Sequence, residues 1–289
     1  MLKSGMRPDP DQLLAAVNAQ EARAGRGKLR IFFGGSAGVG KTYSMLEAAH
    51  RVHETGADLV LGYIQPHGRT ETDNLRNGLE QLPTLPVRYR GLVRQEFDLD
   101  AALKRRPAIL LVDELAHSNL IEGEPPPRHA KRWQDIEELL EAGINVWTTV
   151  NVQHLESLND LVAQITGVRQ RETIPDRIFD EADEVELIDL PPDDLLARLH
   201  AGLIYLPEEA RTAVDRFFRK SNLIALRELA LRRMADRVDA SARATASLDR
   251  ASRAWMARDR LLVAVGPDEQ AEQLVRAGKR MADALDAAW

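Results

Sequence analysis

The chain has 289 residues, 44% of them hydrophobic and 29% charged, with a net charge of −6. That suits a globular protein of one large domain or two ordinary ones, and it lacks the broad basic field that draws nucleic acid. With no cysteine present, disulfides, Cys-ligated zinc, iron–sulfur clusters and thiol nucleophiles are excluded.

Residues 10–23 have amphipathic helical spacing, with Leu13, Leu14 and Val17 on one face, and "AGRGK" (24–28) ends the pattern. Strand patterns follow at 29–33, 58–64, 85–90, 108–113, 144–150 and 184–189, and helix patterns lie between them at 41–54, 72–81, 98–106, 131–142 and 155–165. Continuous apolar strands alternating with helices predict an α/β fold, a mostly parallel sheet with helices on both faces. Ligands of such sheets sit at the carboxyl ends of the strands.

From 192 to 259 no strand pattern is present, and helices are predicted at 192–200, 207–219 and 222–256. Arginines recur along the last of these (Arg227, Arg232, Arg233, Arg237, Arg243, Arg250, Arg253). Interleaved with acids, they read as a solvated face. At 260 a strand pattern restarts, then a Gly-Pro turn, an amphipathic helix and the edge of a second strand at Trp289. About 30 residues do not bury a core alone, so the chain reads as a fragment cut inside a second α/β domain. No window holds the roughly 20 apolar residues of a membrane span. The N-terminus has neither the apolar core nor the cleavage site of a signal peptide, so the chain reads as soluble.

The chemistry concentrates in "GGSAGVGKT" at 34–42, where Gly35, Ser36, Ala37, Gly38, Val39, Gly40, Lys41 and Thr42 fit G-x-x-x-x-G-K-[ST] at every fixed position. Glycines let backbone N–H groups turn onto phosphate oxygens, and the helix that follows points its positive end at the same anion. Lys41 then reaches the β/γ-phosphates and the Thr42 hydroxyl ligates Mg2+. The position between an apolar strand and a helix is the context such a loop requires. The fold is therefore expected to be P-loop NTPase-like, with ATP and Mg2+ as cofactors. Its expected divisions are an N-terminal extension (1–27), a nucleotide-binding domain (28–191), a helical segment (192–259) and the truncated second domain (260–289).

Asp113 ends the apolar strand "AILLVDE", where an acidic residue holds Mg2+ through water; the plainer reading is a cap for the next helix. Glu114 beside it would orient or deprotonate a nucleophile, or serve as an ordinary ion-pair partner. Arg69 in "HGRTET" (67–72) would contact phosphate, or belongs to a polar loop. Thr148, Thr149, Asn151 and Gln153 close another strand, and Gln153 would sense a γ-phosphate or place water. His154 reads as a packing residue. "EGEPPPRHAKRW" (122–133) is a lid carrying Arg128, Lys131 or Arg132 toward phosphate, or a solvated loop. Scattered histidines give no zinc pattern, and no G-x-S-x-G elbow supports a serine triad.

With these motifs in place, the chain resembles the N-terminal cytoplasmic region of the KdpD family of membrane-bound sensor histidine kinases that control potassium uptake. The resemblance rests on "RPDPDQLL", "GKLRIFFGGSAGVGKT", "HGR", "EFDLDAAL", "DELAHSN", "KRWQDIEELLEAGI", "TTVNVQHLESLND", "DLPPDDL" and "FFRKSNLIALRELALRRMADRVD". It implies that Gly35–Thr42 and Asp113 form the nucleotide site of a sensor region, and that 260–289 begins a universal-stress-protein-like domain. It also implies a parent protein of the bacterial inner membrane. Its partners would be that parent's C-terminal kinase region and response regulator, with a homodimer open and no nucleic acid. Two uses of ATP compete: a signal that modulates the parent's kinase and phosphatase output, or a separate phosphoryl transfer (ATPase or Ser/Thr-directed protein kinase) by this domain.

Overall fold

The computed structural model describes residues 25–65, 70–202, 204, 217–250, 261–267, 270–285, 287 and 289, with only the backbone described over 242–250. The helix expected at 10–23, nearly all of that at 207–219, and Arg69 lie outside these residues.

Six strands form one fully parallel sheet in the order β3-β2-β6-β7-β1-β8. They are β1 (Leu29–Gly34), β2 (Leu59–Tyr63), β3 (Glu80–Gln81), β6 (Ile109–Val112), β7 (Asn145–Asn151) and β8 (Glu184–Ile188). Helices α1 (Lys41–His53), α2 (Thr70–Asn74), α3 (Leu99–Arg105), α4 (Arg132–Glu141), α5 (Asn159–Thr166) and α6 (Asp176–Asp180) connect or flank them. Strand alternation sends neighbouring side chains to opposite faces, and here both faces are covered. Phe32 packs with Met45, Leu46 and Ala49 of α1. Ile31 and Phe33 face the opposite cluster, with Ile136, Leu139 and Leu140 of α4.

That second cluster also takes Leu195 of α7 (Pro192–His200) and Leu223, Leu226 and Ala230 of α8 (Lys220–Arg250). The arginines of α8 are mostly not a solvated face. Arg227 grips Asp189 at 2.6 Å, Arg233 is buried against Asp180 and the ring of Phe179, and Arg237 donates to the carbonyls of Phe179, Asp180 and Ala182. Only Arg232 keeps the expected exposed role among the described ones, paired with Glu228 one turn away.

Four expectations need correction. Residues 85–90 are not in the parallel sheet: β4 (Leu85–Tyr89) pairs antiparallel with β5 (Leu92–Glu96) as a separate hairpin. Arg90 and Gly91 both have positive φ, the turn geometry that matches hairpin twist and no crossover. The helix predicted over 72–81 stops at Asn74, before Asn77-Gly78, and 80–81 becomes the edge strand β3. The helix predicted over 155–165 starts only at Asn159, after 3-10 turns at Val152–His154 and Glu156–Leu158. At 261–266 no strand forms among the described residues, although α9 (Ala271–Leu285) does. A strand without a paired neighbour has no partners for its backbone groups. Helix α9 docks on the sheet domain through Arg276 to Asp160 (2.5 Å) and Arg280 to the Ser157 carbonyl.

Candidate functional site

The glycine-rich loop leaves β1, between β7 and the edge strand β8, and enters α1. Gly38 and Gly40 take φ of +90° and +106°, conformations that side chains rarely tolerate. The caps of α1 come from backbone only, since Gly40 offers no side chain and the first turn carries no acid. Its N-terminal N–H groups therefore face an anion-favouring field with no carboxylate in competition.

The loop is also pressed from above. A Cβ on Gly35 would lie 3.2 Å from Cα of Arg227 in α8, and one on Gly38 would lie 2.4 Å from Cδ1 of Ile204. At Gly35 the neighbour is backbone and would have to yield by a few tenths of an ångström, while at Gly38 it is the end of the Ile204 side chain.

Lys41, the first residue of α1, is 9% exposed. Its Nζ donates to the Ser36 carbonyl at 3.2 Å and to Oδ1 of Asn151 at the end of β7. Thr42 donates its hydroxyl to Oδ2 of Asp113 at 3.0 Å. Asp113, 1% exposed just past β6, also accepts from the Thr149 hydroxyl of β7, the Glu114 N–H at 3.1 Å and the Gln65 N–H at 3.4 Å. Strand β7 lies between β1 and β6, so Thr149 and Asn151 are the two side chains that join the lysine end of this network to the aspartate end. A buried carboxylate needs several donors to offset its lost hydration, and Asp113 has them.

Glu114 has φ of +60°, a strained setting for a non-glycine residue. Its N–H is held by Asp113 and by Thr149 Oγ1 at 3.3 Å. Glu114 and Lys41 line one cavity of about 90 Å³ together with His117, Thr149, Asn151, His154 and Glu172. His154 is held below the usual imidazole range by burial, opposed by its bond to the Glu172 carbonyl. Nδ1 lies 2.7 Å from that carbonyl, which requires the proton on Nδ1. The ring is thus neutral and packed, in keeping with the sequence expectation.

Gln153 is buried beside His154 but is not among the residues lining this cavity. Its Oε1, like Oγ1 of Thr148, has no hydrogen-bond partner among the described residues, and such buried acceptors ordinarily find water or a ligand.

None of the three basic candidates of the proline-bearing loop bonds to the phosphate loop among the described residues, and Lys131 donates instead to Oγ of Ser118 at 2.6 Å. Arg128 pairs with Asp100 and Glu138. Arg132 is 0% exposed, neither a lid residue nor part of a solvated loop. It donates to the Asp113 carbonyl at 3.2 Å and to Glu96 at 3.2 Å, and stacks over Tyr63 with its guanidinium 4.3 Å from the ring centre. Burial pushes the Tyr63 phenol up to about 12, so that ring stays uncharged beneath the cation. Arg132 is a brace under the end of β6. Glu96, which takes that guanidinium and also His117 at 3.0 Å, and Glu172, which accepts the Ser118 N–H, are further parts of the site. Glu172 sits in a loop with no motif around it, and Glu96 opens the "EFDLDAAL" stretch with no spacing that marks its pairing to Arg132.

Residues 25–238 match the model of the family described as KdpD, osmosensitive K+ channel His kinase sensor domain. The chain is 55% identical over 284 residues to the sensor protein KdpD of Escherichia coli K12 and 51% identical over 284 residues to that of Clostridium acetobutylicum. Each alignment covers 98% of this chain and 31% of the relative, so the chain spans about a third of their length. A putative sensor protein KdpD of Synechocystis is 44% identical over 261 residues, 90% of this chain and 68% of that relative. The match of one family model to most of the described sheet domain, with these relatives, shows that the chain belongs to the KdpD osmosensitive K+ channel His kinase sensor domain family.

Proposed function

We propose that this chain is an ATP·Mg2+-binding regulatory module of a membrane-bound two-component sensor kinase. The observation that carries the reading is the Lys41 and Thr42–Asp113 arrangement at the carboxyl edge of the parallel sheet, with a hydroxyl and a carboxylate oxygen 3.0 Å apart. A hydroxyl, an acid and an uncapped helix start suit a hard cation shared with phosphate oxygens. Thr42 and Asp113 would hold Mg2+, Lys41 would hold the β/γ-phosphates, and backbone from Gly35 to Gly40 would wrap them. When bound, the metal nucleotide supplies charge and phosphate oxygens. The chain's own part is to exchange internal bonds: Lys41 gives up Asn151, and Thr42 gives up its direct contact with Asp113.

That exchange takes place under α8, because Gly35 lies against the Arg227 backbone. A rearranged loop would therefore be felt at α8, which supports a signalling use in which ATP sets the balance of kinase and phosphatase output in the longer protein, with its kinase region and response regulator as partners.

One observation favours a second reading, phosphoryl transfer by this domain. Glu114 shares the cavity with Lys41, where a base for a hydroxyl or for water would stand. Titration calorimetry with ATP·Mg2+, followed by incubation with γ-labelled ATP, separates the two. Binding lost in Lys41→Ala, without label on protein or released phosphate, is expected for the signalling module. Label or phosphate release that depends on Glu114 would replace it with the transfer reading, and no nucleotide binding would sink both.

A further inference from the structure

A second cleft among the described residues lies away from the glycine-rich loop. It has a volume of about 270 Å³ and lies between the β4–β5 hairpin, the start of α3, the proline loop and α4. Leu85, Val87, Phe97, Leu99, Leu120 and Pro125–Pro127 give it apolar walls. Five ionisable residues line it: the acids Glu96, Asp98, Asp100 and Asp135, and one base, Arg128. Three of the acids are committed. Glu96 holds Arg132 and His117, Asp98 caps α3 through the Ala101 N–H, and Asp100 holds Arg128.

Asp135 differs. It is 4% exposed on α4. Asn119 donates to its Oδ2 at 2.7 Å, and its other carboxyl oxygen takes no hydrogen bond among the described residues. Asp135 stands in the first turn of α4, where the helix start, the Asn119 bond and the nearby Arg132 and His129 favour its charge, and its remaining oxygen has room for one more donor.

We propose that this cleft is a second ligand site, for a small organic cation in which an amine or guanidine is carried on an apolar body, with Asp135 as the anchor of the charged end. The apolar walls take the body, and the surplus of acids over bases favours a cation over a neutral or anionic ligand of the same shape. The site stands apart from the nucleotide reading and is tested without nucleotide.

Burial pushes the Asp135 carboxyl up to about 6, against the lowering effects of the Asn119 bond, His129 and Arg132; Glu138 adds to the rise. The remaining charged groups that face the cleft are Glu96, Asp98, Asp100 and Arg128. Asp135 is therefore ionised at neutral pH and protonated below about pH 6, and affinity for a cation falls across that boundary.

The test uses phenethylamine, with 2-phenylethanol as its uncharged analogue and 3-phenylpropionate as an anionic one, titrated into the full chain by calorimetry and by amide NMR shifts. A charge-assisted contact in a desolvated site is worth about tenfold or more in affinity. Phenethylamine is expected to bind at least about tenfold tighter than the alcohol at neutral pH, with shifts at Val87, Leu99 and Asn119. Asp135→Asn, which keeps an acceptor for Asn119, is expected to erase that preference and leave alcohol binding unchanged. Amine binding in the wild type is expected to weaken from pH 7 to pH 5. A preference under about tenfold, an amine affinity unaffected by Asp135→Asn, or no saturable binding of any probe up to about 10 mM overturns the proposal. If Asp135→Asn does not fold, the pH dependence and the alcohol comparison in the wild type still decide it.

Discussion

Two regions on either side of Arg132 make opposite use of buried polar groups. At the glycine-rich loop, Lys41, Thr42, Asp113, Thr149 and Asn151 satisfy one another across the start of α1 and the ends of β6 and β7. At the proline-loop cleft, Asp135 keeps an open oxygen against apolar walls. The first region binds a ligand by exchanging bonds it already has, so its affinity is a difference between two well-bonded states. The second would bind by completing a bond it lacks. Internal saturation stabilises the fold without ligand, whereas an open acid costs stability that a ligand returns.

Arg132 is where this contrast is most open to attack, since it touches Asp113 on one side and Glu96 on the other. Arg132→Ala removes a fully buried cation from half-buried Glu96 and from the Asp113 carbonyl, and is expected to cost about 3–5 kcal/mol in urea unfolding. A loss below about 1 kcal/mol would mean that the brace is expendable and the two regions independent.

Lys41→Ala is expected next in size, lowering ATP·Mg2+ affinity about 10- to 150-fold, or about 1.5–3 kcal/mol, by calorimetry. Phenethylamine binding at the cleft should not move. If it does, the regions are not separable in the way drawn above.

Asp135→Asn reverses the sign. The folded-state value is raised to about 6 from an ordinary 3.8. Ionising this group therefore costs more in the native chain than in the unfolded one. That penalty is absent below the unfolded value and grows as pH rises through the folded one. The variant should be stabilised by about 1–3 kcal/mol near pH 8, with the gain fading toward pH 4 in thermal unfolding. Destabilisation at pH 8 would show that the carboxylate is satisfied after all.

The smallest effect is expected from Asn151→Ala. Freed of one internal bond, Lys41 should hold ATP·Mg2+ about two- to tenfold more tightly, because about 0.5–1.5 kcal/mol of competition is gone. Weaker binding would place Asn151 on the phosphate itself.

The sequence made one region much plainer than the other. A fixed loop pattern between an apolar strand and a helix marked residues 34–42, and strand runs at 58–64, 108–113 and 144–150 foretold the parallel sheet. Such signals are local: each is written in consecutive residues. The cleft is assembled from a hairpin end and capped helix start at 96–100, a proline loop and one carboxyl on α4, and no short window holds all of these sides. The hairpin was read as a sheet strand because periodicity does not tell which neighbour a strand will choose, while the Arg90-Gly91 turn does so only once its φ values are known. Arg132 misled for a related reason. A basic residue beside a proline loop looks solvated, and only the fold shows that Tyr63 and Glu96 close over it. On α8 the arginines spaced among acids looked like a surface, yet Arg233 and Arg237 close on Phe179 and its neighbours.

The close seat of Gly35 on Arg227 has a mechanical consequence. Helix α8 runs for 31 residues from Lys220 to Arg250, about 46 Å at 1.5 Å per residue. Its first turns rest on the glycine-rich loop, so the loop acts as the fulcrum of a long arm. By simple leverage, a tilt of about 5° at Arg227 carries Arg250, about 35 Å further along the helix, roughly 3 Å, about the rise of two residues. A displacement too small to alter the fold of the sheet domain is thereby enlarged to the size of a side chain where the helix leaves it.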